Sequence, residues 1–217
     1  MDSLLLAAFA AEGRAASLVV DLGAGVGVVG LVLVEVGAAR AAALVDADHD
    51  CVTLARHNLA DNEARGAAYA CELGRQRLPD ELVGSAELVV SNPPFFAPAG
   101  GTPARHAGAR RARSGALEPF LRAAGAALSG PRARAALCYP AAMLPELLRA
   151  AESAGLVAKR LRLVHARSSS TARLALVELR RAKPGGLVVL PPLLEWNGRA
   201  RSPELEAIVA GRFGPAR

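Results

Sequence analysis

The sequence has few of the residues that mark secreted, metal-binding or membrane-spanning proteins. Cysteine occurs three times, at Cys51, Cys71 and Cys138, and this spacing matches neither a zinc motif nor a disulfide framework. No apolar run approaches the roughly 20 residues of a membrane-spanning helix. The apolar stretch Leu4–Ala11 lacks the basic region that precedes the core of a signal peptide. We therefore expect a protein of the reducing cytoplasm with no membrane or metal partner.

Aromatic residues make up only 4% of the 217 residues, and lysine is almost absent. Only Lys159 and Lys183 are lysines among 26 basic residues, so nearly all positive charge is on arginine. The net charge of +6 suits an anionic partner such as nucleic acid. Because the many Arg, Ala, Gly and Pro residues also fit a coding bias of the genome, the charge alone does not decide for nucleic acid.

Apolar segments of strand length alternate with helical patterns, which is typical of an α/β fold with a mainly parallel sheet. Hydrophobic residues reach 52%, enough for one domain spanning residues 1–217. The seven predicted strands are Ser17–Leu22, Ala41–Val45, Gly66–Cys71, Leu88–Ser91, Ala133–Tyr139, Val157–His165 and Leu174–Arg180. The predicted helices are Leu4–Glu12, Val28–Val36, His49–Asn62, Leu117–Leu128, Leu144–Ala154 and Pro203–Gly211. We expect the last two strands to close the sheet as an antiparallel hairpin.

A glycine-rich turn, Asp21–Gly27 (DLGAGVG), follows the first predicted strand and opens a helix. Glycines let the backbone turn sharply and approach a ligand closely, and the helix start adds oriented N–H groups. Asp46 ends the next predicted strand, where a carboxylate can accept both hydroxyls of a ribose. These features predict a cofactor that contains a nucleoside; the alternative is that the glycines only form a tight turn.

Two cofactors compete for this pattern. Gly25-x-Gly27-x-x-Gly30 matches the dinucleotide fingerprint, but Asp21 at the strand tip would repel a pyrophosphate. S-adenosylmethionine (SAM) has no phosphate and carries an ammonium group that Asp21 could hold, so we favour SAM over NAD. Glu72, after the third strand, could lie near the adenine or be a solvated loop carboxylate. The predicted cofactor-binding residues are Asp21, Gly23, Ala24, Gly25, Gly27, Asp46, Ala47, Glu72 and Asn92.

The segment Ser91–Phe96 (SNPPFF) follows the predicted strand Leu88–Ser91. Proline cannot donate to a sheet ladder and fixes its own φ, so the chain must leave the sheet in a rigid elbow. The elbow displays an amide side chain, an unpaired carbonyl and an aromatic ring. This set suits a planar group that bears N–H, such as a nucleobase amine or a carboxamide. The alternative is an ordinary turn at a strand end with Phe95 in the core.

Together, Asp21–Gly27, Asp46 and Asn92–Phe95 resemble class I SAM-dependent methyltransferases, which have a Rossmann-like α/β fold. The Asn-Pro-Pro-aromatic element is similar to the branch that methylates adenine N6, guanine N2 or the glutamine side chain. The resemblance implies that Asn92, Pro93, Pro94 and Phe95 are catalytic. The Asn92 oxygen and the Pro93 carbonyl would each accept one N–H bond, Pro94 would keep the elbow rigid, and Phe95 would stack on the base.

Segments outside these motifs resemble bacterial tRNA (adenine-N6)-methyltransferases that modify a valine tRNA. They are the first helix, Asp2–Phe9, the closing hairpin around His165–Arg167 and Ala172–Arg181, and the tail segments Leu190–Glu195 and Pro203–Leu205. The resemblance implies adenine N6 of a tRNA as the acceptor, with rRNA as a further possible partner. That family has a segment before the first helix that helps to cover SAM. Because this chain begins almost at that helix, we expect the lid to be absent or shortened.

Phe95 stands where many adenine and glutamine enzymes of this branch carry Tyr, and Phe is common in guanine-N2 enzymes that act on rRNA. The alternatives are therefore a guanine-N2 rRNA methyltransferase, a protein-glutamine N5-methyltransferase, and a SAM-binding module without activity of its own. We expect a monomer or a homodimer.

Basic residues after the elbow, Arg105, Arg110, Arg111 and Arg113, are the predicted RNA-binding residues, because a loop there would flank the acceptor pocket and contact phosphates. The alternative is a solvated loop. We expect Trp196 to pack the C-terminal tail onto the domain, with stacking on a substrate as the less favoured role.

Overall fold

The computed structural model describes residues 1–93 and 117–214, and a mostly parallel sheet with helices on both faces forms its centre. The seven principal strands are β1 (Val19–Leu22), β2 (Ala42–Asp46), β3 (Gly66–Ala70), β4 (Leu88–Ser91), β5 (Arg134–Pro140), β6 (Val157–His165) and β7 (Ala172–Arg180). The α-helices are α1 (Asp2–Ala11), α2 (Val28–Glu35), α3 (His49–Asp61), α4 (Glu118–Ala127), α5 (Leu144–Ser153) and α6 (Pro203–Val209). The predicted α/β fold is confirmed, and the bounds of these elements differ from the predicted ones by at most two residues. In the described parts of the chain, no helix is both long and apolar enough to cross a membrane.

The strands lie in the order β3-β2-β1-β4-β5-β7-β6. Strands β1 to β5 pair in parallel, and β7 runs antiparallel to both β5 and β6, as the predicted hairpin requires. The order of the strands reverses between β1 and β4. Ligands of open α/β sheets bind outside the carboxyl ends of the strands at such a switch point. Leu22 pairs with Ser91 there, so the glycine turn and the elbow leave the sheet side by side.

Four strands of two residues each were not predicted. Strands β8 (Val188–Val189) and β9 (Leu193–Leu194) both pair in parallel with β6, so the described sheet has nine strands rather than seven. Strands β10 (Trp196–Asn197) and β11 (Ala200–Arg201) form a separate hairpin. Two residues are too few to show an alternating pattern, and Pro191-Pro192 interrupts the apolar run.

The central strands are buried on both faces, which explains their almost continuous apolar sequence. Alternate residues of β4 face opposite layers: Leu88 and Val90 pack beneath the layer of α1, α2, α3 and α6, and Val89 packs beneath α4 and α5. The largest fully buried side chains are leucines, so aliphatic packing stabilises this core with little aromatic contribution.

A buried arginine attaches α1 to the sheet. Arg134 at the start of β5 is only 5% exposed, and its Nη2 donates to the carbonyl oxygens of Ala10 and Arg14 at 3.1 and 2.9 Å. The Ala10 carbonyl lies in the last turn of α1, where no further turn supplies donors, and the Arg14 carbonyl lies three residues beyond the helix. A Cβ on Gly13 would stand 2.7 Å from the guanidinium carbon, so only glycine leaves room for this contact.

We predict that Arg134→Ala lowers the free energy of unfolding by about 2–4 kcal/mol, because it leaves buried carbonyls without a donor and opens a cavity. Urea denaturation followed by circular dichroism measures the change. Arg132→Ala is the matched control, since Arg132 is exposed two residues earlier and should change stability by less than about 0.5 kcal/mol. Equal stability of the two variants would contradict the role assigned to Arg134.

Candidate active site

The glycine turn between β1 and α2 depends on a left-handed backbone. Gly23, Gly25 and Gly27 have φ values of +72°, +56° and +91°, a region that side chains rarely tolerate. A Cβ on Gly27 would stand 2.6 Å from the Leu44 side chain, whereas a Cβ on Gly25 would meet nothing within 4 Å. The turn is therefore packed against β2 on one side and open on the side where a ligand can approach.

Asp46, at the end of β2, joins the turn to the next loop. Its Oδ2 accepts the Gly25 N–H at 2.7 Å, and its Oδ1 accepts the Asp48 N–H at 2.9 Å. Each oxygen keeps lone pairs for a further donor. Asn58 of α3 supports the turn by donating to the Val26 carbonyl at 2.9 Å. The half-buried carboxylate is thus held in place beside the open glycine turn, in the position predicted for a ribose.

Asp21, in β1, is buried beneath the turn, and its Oδ2 accepts the Gly30 N–H of α2 at 3.0 Å. Burial is the largest influence and raises the pKa of this carboxyl to about 7; the Gly30 hydrogen bond opposes the shift, and the nearby charge of Asp46 adds to it. A cation bound nearby would favour the ionised form. Asp21 therefore contributes to the site as a buried charge whose ionisation responds to a ligand.

Glu72, just after β3, lies at the same edge of the sheet. Its carboxylate pairs with Arg75, with an Oε1–Nε distance of 3.3 Å, and its N–H donates to Gln76 Oε1 at 2.7 Å. The neighbouring Cys71 N–H donates to the Asp46 carbonyl at 2.8 Å, which links this loop to β2. The Arg75 contact would compete with an adenine amine for Glu72. Ala47, between the two loops, is exposed.

The elbow starts from a well-anchored strand end. Ser91 Oγ donates to the Leu22 carbonyl at 2.7 Å, which ties β4 to the end of β1. Asn92 is half-buried: its Oδ1 accepts the thiol of Cys138 at 3.0 Å, and its Nδ2 donates to Ser3 Oγ at 3.4 Å. Pro93 is buried. The amide of Asn92 is therefore oriented by β5 on one side and by α1 on the other.

Cys138 and Ser3 were not predicted as site residues. Ser91 of β4 pairs with Leu137 of β5. The next residue in each segment, Asn92 and Cys138, therefore lies beside the other. Only the strand pairing could have revealed this contact, because an apolar cysteine in a predicted core strand gives no functional signal. Burial raises the pKa of the Cys138 thiol well above its usual value, so the thiol keeps the proton that it donates to Asn92.

Six predicted site residues lie outside the described residues, and their roles stay predictions: Pro94, Phe95, Arg105, Arg110, Arg111 and Arg113. Residues 1–93 and 117–214 contain no group of three or more His, Cys, Asp or Glu side chains that could hold a metal ion.

The described donors and acceptors fit SAM. The open turn at Gly25 gives room for close backbone contact, the anchored Asp46 carboxylate suits ribose hydroxyls, and the buried Asp21 favours a nearby positive charge. Two carboxylates beside the turn disfavour a pyrophosphate.

Solved structures with this fold include several methyltransferases. A predicted O-methyltransferase from Agrobacterium tumefaciens has a TM-score of 0.76 and 23% identity, over 100% of this chain and 99% of its own. TrmN from Thermus thermophilus has a TM-score of 0.56 and 20% identity, over 82% of this chain and 48% of its own. A protein from Pyrococcus horikoshii, thought to be an RNA methyltransferase, has a TM-score of 0.55 and 17% identity, over 82% and 81%. These identities show a shared fold.

No curated protein matches this chain. The profile of the methyltransferase small domain family matches residues 2–113, which contain α1, the glycine turn, Asp46 and the elbow. The match covers more than half of the sequence and implies SAM as the methyl donor. The chain therefore belongs to the methyltransferase small domain family.

Proposed function

We propose that this protein transfers the methyl group of SAM to an exocyclic amine of an RNA base, and that its acceptor is adenine N6 of a tRNA. One observation carries the proposal: Asn92 and Pro93 leave β4 directly beside the glycine turn of β1. This places an amide oxygen and a backbone carbonyl next to the candidate methyl-donor site.

SAM, when bound, supplies an electrophilic methyl group. Asp46 would accept the ribose hydroxyls while keeping its bonds to Gly25 and Asp48. The charge of Asp21 would favour the ammonium group from beneath the turn. Binding would thus align the donor with the carboxyl ends of β1 and β4.

The oxygens of Asn92 and Pro93 support nitrogen as the atom that receives the methyl group. An exocyclic amine offers two N–H groups to the Asn92 oxygen and the Pro93 carbonyl, which localises its lone pair and stabilises the developing positive charge. A hydroxyl substrate would donate a hydrogen bond to only one of the two oxygens. A buried oxygen left without a donor costs about 1–3 kcal/mol. Because Cys138 and Ser3 hold the amide before substrate binds, little reorganisation is needed.

Two further observations support RNA as the substrate. The net charge of +6 favours a polyanion. Among the solved structures with this fold, the Pyrococcus horikoshii protein is itself thought to be an RNA methyltransferase. The Asn-Pro-Pro-Phe element, through its resemblance to the amine-methylating branch, supports a base rather than a ribose hydroxyl.

We predict that incubation with labelled SAM transfers methyl groups to unmodified total tRNA, and that nucleoside analysis identifies N6-methyladenosine. Total rRNA and a protein extract are incubated in parallel. N2-methylguanosine in rRNA or label on glutamine would replace the tRNA proposal, and no transfer to any fraction would refute the RNA-methyltransferase proposal.

We predict that Asn92→Ala lowers kcat by roughly 10²–10³-fold, as the loss of one electrostatic contact in a transition state does, with SAM affinity changed only a few-fold. Initial rates with tRNA and calorimetry with SAM measure the two quantities. Asn62→Ala, at an exposed position after α3, is the matched control and should behave as wild type. An unchanged kcat in Asn92→Ala with normal SAM binding would exclude this mechanism.

We predict that the SAM affinity of the wild type, divided by the SAM affinity of Asp21→Asn, rises by up to about tenfold between roughly pH 5.5 and 7.5. The pKa of Asp21 is raised to about 7, so the carboxyl is mostly neutral below this pH and attracts an ammonium group only above it. Calorimetric titrations of both proteins check this, and comparison with the variant removes the titration of SAM itself. Identical pH profiles would show that Asp21 does not interact with the cofactor.

A second measurement tests the same carboxyl without cofactor. Because the folded pKa lies above the unfolded one, the native state binds the proton more tightly, and the stabilisation present at low pH is lost as pH rises through about 7. Asp21→Asn should flatten this dependence in urea denaturation. A pH dependence that the substitution leaves unchanged would assign it to other groups.

A further inference from the structure

A cavity of about 390 Å³ lies between the β6–β7 turn and the C-terminal tail. Its lining combines one aromatic ring with polar and small apolar residues and includes Arg167, Ser168, Ser169, Trp196, Asn197 and Pro203. The volume lies in the range of small-molecule sites, about 300–1,000 Å³, and accommodates one nucleoside. Neither Asn92 nor Pro93, the two proposed catalytic residues in the described part of the chain, lines it.

The cavity stands at the same edge of the sheet as Asn92. Strand β6 runs antiparallel to β7, which runs antiparallel to β5, so the carboxyl ends of β4, β5 and β6 share one edge. Strands β5 and β7 lie between β4 and β6. Three strand spacings correspond to about 14 Å, a distance that a few nucleotides of single-stranded RNA can bridge.

One arginine, Arg167, lines this cavity, and the adjoining segment of the tail carries Arg199 and Arg201. All three are exposed, and none of them forms an ion pair with another residue in the described parts of the chain. Arg167 only reaches the Gly198 carbonyl at 3.5 Å, a long contact that a phosphate could replace.

Three carboxylates on this side of the molecule, those of Asp2, Glu195 and Glu204, already pair with other arginines. Arg173 binds Glu195 at 2.6 Å and Asp2 at 2.9 Å. Arg162 binds Glu204 at 2.6 Å. Arg167 in the lining, together with Arg199 and Arg201 in the adjoining tail, is therefore left for an anionic ligand.

Trp196, the sole tryptophan of the chain, is 39% exposed beside the cavity. Its N–H donates to the Ala166 carbonyl at 3.0 Å, and it pairs with Arg201 across the β10–β11 hairpin. The backbone of Trp196 thus attaches the tail to the domain, while part of the indole stays open; the predicted packing role of the ring stays a prediction. An exposed aromatic beside free arginines is the arrangement with which proteins bind single-stranded nucleic acid.

The turn that carries Arg167 is built before any ligand binds. Its N–H donates to Ser170 Oγ at 2.9 Å, and this hydroxyl donates back to the Arg167 carbonyl at 2.7 Å. His165 Nδ1 donates to the Ser170 carbonyl at 2.8 Å. Because the backbone is already ordered, binding would require ordering of the Arg167 side chain alone.

We propose that this cavity is a second nucleotide subsite for the RNA substrate, in which Trp196 stacks on a base and Arg167 binds an adjacent phosphate. The proposal rests on the proposed function for the identity of the polymer. The nucleotide held here is not the one that is methylated, and it determines which base of the RNA reaches Asn92. Its subsite suits an unpaired nucleotide, because a stacked base in a duplex presents no free face.

Fluorescence of Trp196 gives a direct test, because selective excitation of the only tryptophan reports on this cavity alone. The probe is a tRNA anticodon stem-loop, titrated into the full chain, and we expect it to quench the emission. Trp196→Leu should weaken binding about tenfold by filter assay, while Trp196→Phe keeps a stacking face and most of the affinity. Equal affinity of the Leu variant and wild type would show that the ring only packs.

Arg167→Ala should weaken binding and reduce the slope of log affinity against log salt by about 0.7, the effect of one lost phosphate contact on a single strand. Arg132→Ala is the matched control, since Arg132 is exposed just before β5, at the opposite edge of the sheet. Urea denaturation verifies that each variant is folded. If Arg167→Ala has the same salt slope as Arg132→Ala, Arg167 does not contact a phosphate of the RNA.

The outcomes separate this proposal from the proposed function. If the wild type methylates RNA but the stem-loop does not quench Trp196, the subsite is wrong and the function stands. If RNA quenches Trp196 without methyl transfer to any RNA, the subsite stands and the function fails. If only a protein fraction accepts methyl groups and no RNA quenches Trp196, both proposals are overturned.

Discussion

The parallel pairing of β1 with β4 is the constraint on which the rest of this structure depends. It places Leu22 opposite Ser91, and the Ser91 hydroxyl donates to the Leu22 carbonyl at that point. Two segments from distant parts of the chain, the glycine turn and the elbow, thereby leave the sheet next to each other. Because the order of the strands reverses here, the carboxyl ends of β1 and β4 mark the point at which ligands of open α/β sheets bind.

The polar groups around this point are not arranged for stability alone. Asp21 is buried with a raised pKa, which costs free energy of folding at neutral pH. The amide of Asn92 depends on a buried thiol and on a serine of α1 for its orientation. Arg134 in turn anchors the end of that helix to β5. The packing of α1 against β5 and the orientation of the Asn92 amide are therefore coupled.

Charge is distributed unevenly along the β6–β7 side of the molecule. Arg173 pairs with Asp2 of α1 and with Glu195, and Arg162 pairs with Glu204 of α6, whereas Arg167 at the turn pairs with no carboxylate among the described residues. Arginines with carboxylate partners are structural, and those without leave a positive field at the edge of the sheet where the candidate active site lies. The same residue type thus performs two roles, and the difference is set by which acids the fold brings nearby.

The sequence by itself determined the α/β class, the seven principal strands, the glycine turn with Asp46, and the start of the elbow at Asn92, because these features are local patterns of period, glycine and proline. The tertiary structure decided the contacts of Asn92 with Cys138 and Ser3, the pairing of β8 and β9 with β6, and the cavity between Arg167 and Trp196. Each of these depends on strand register or on segments far apart in the chain, which no local pattern encodes.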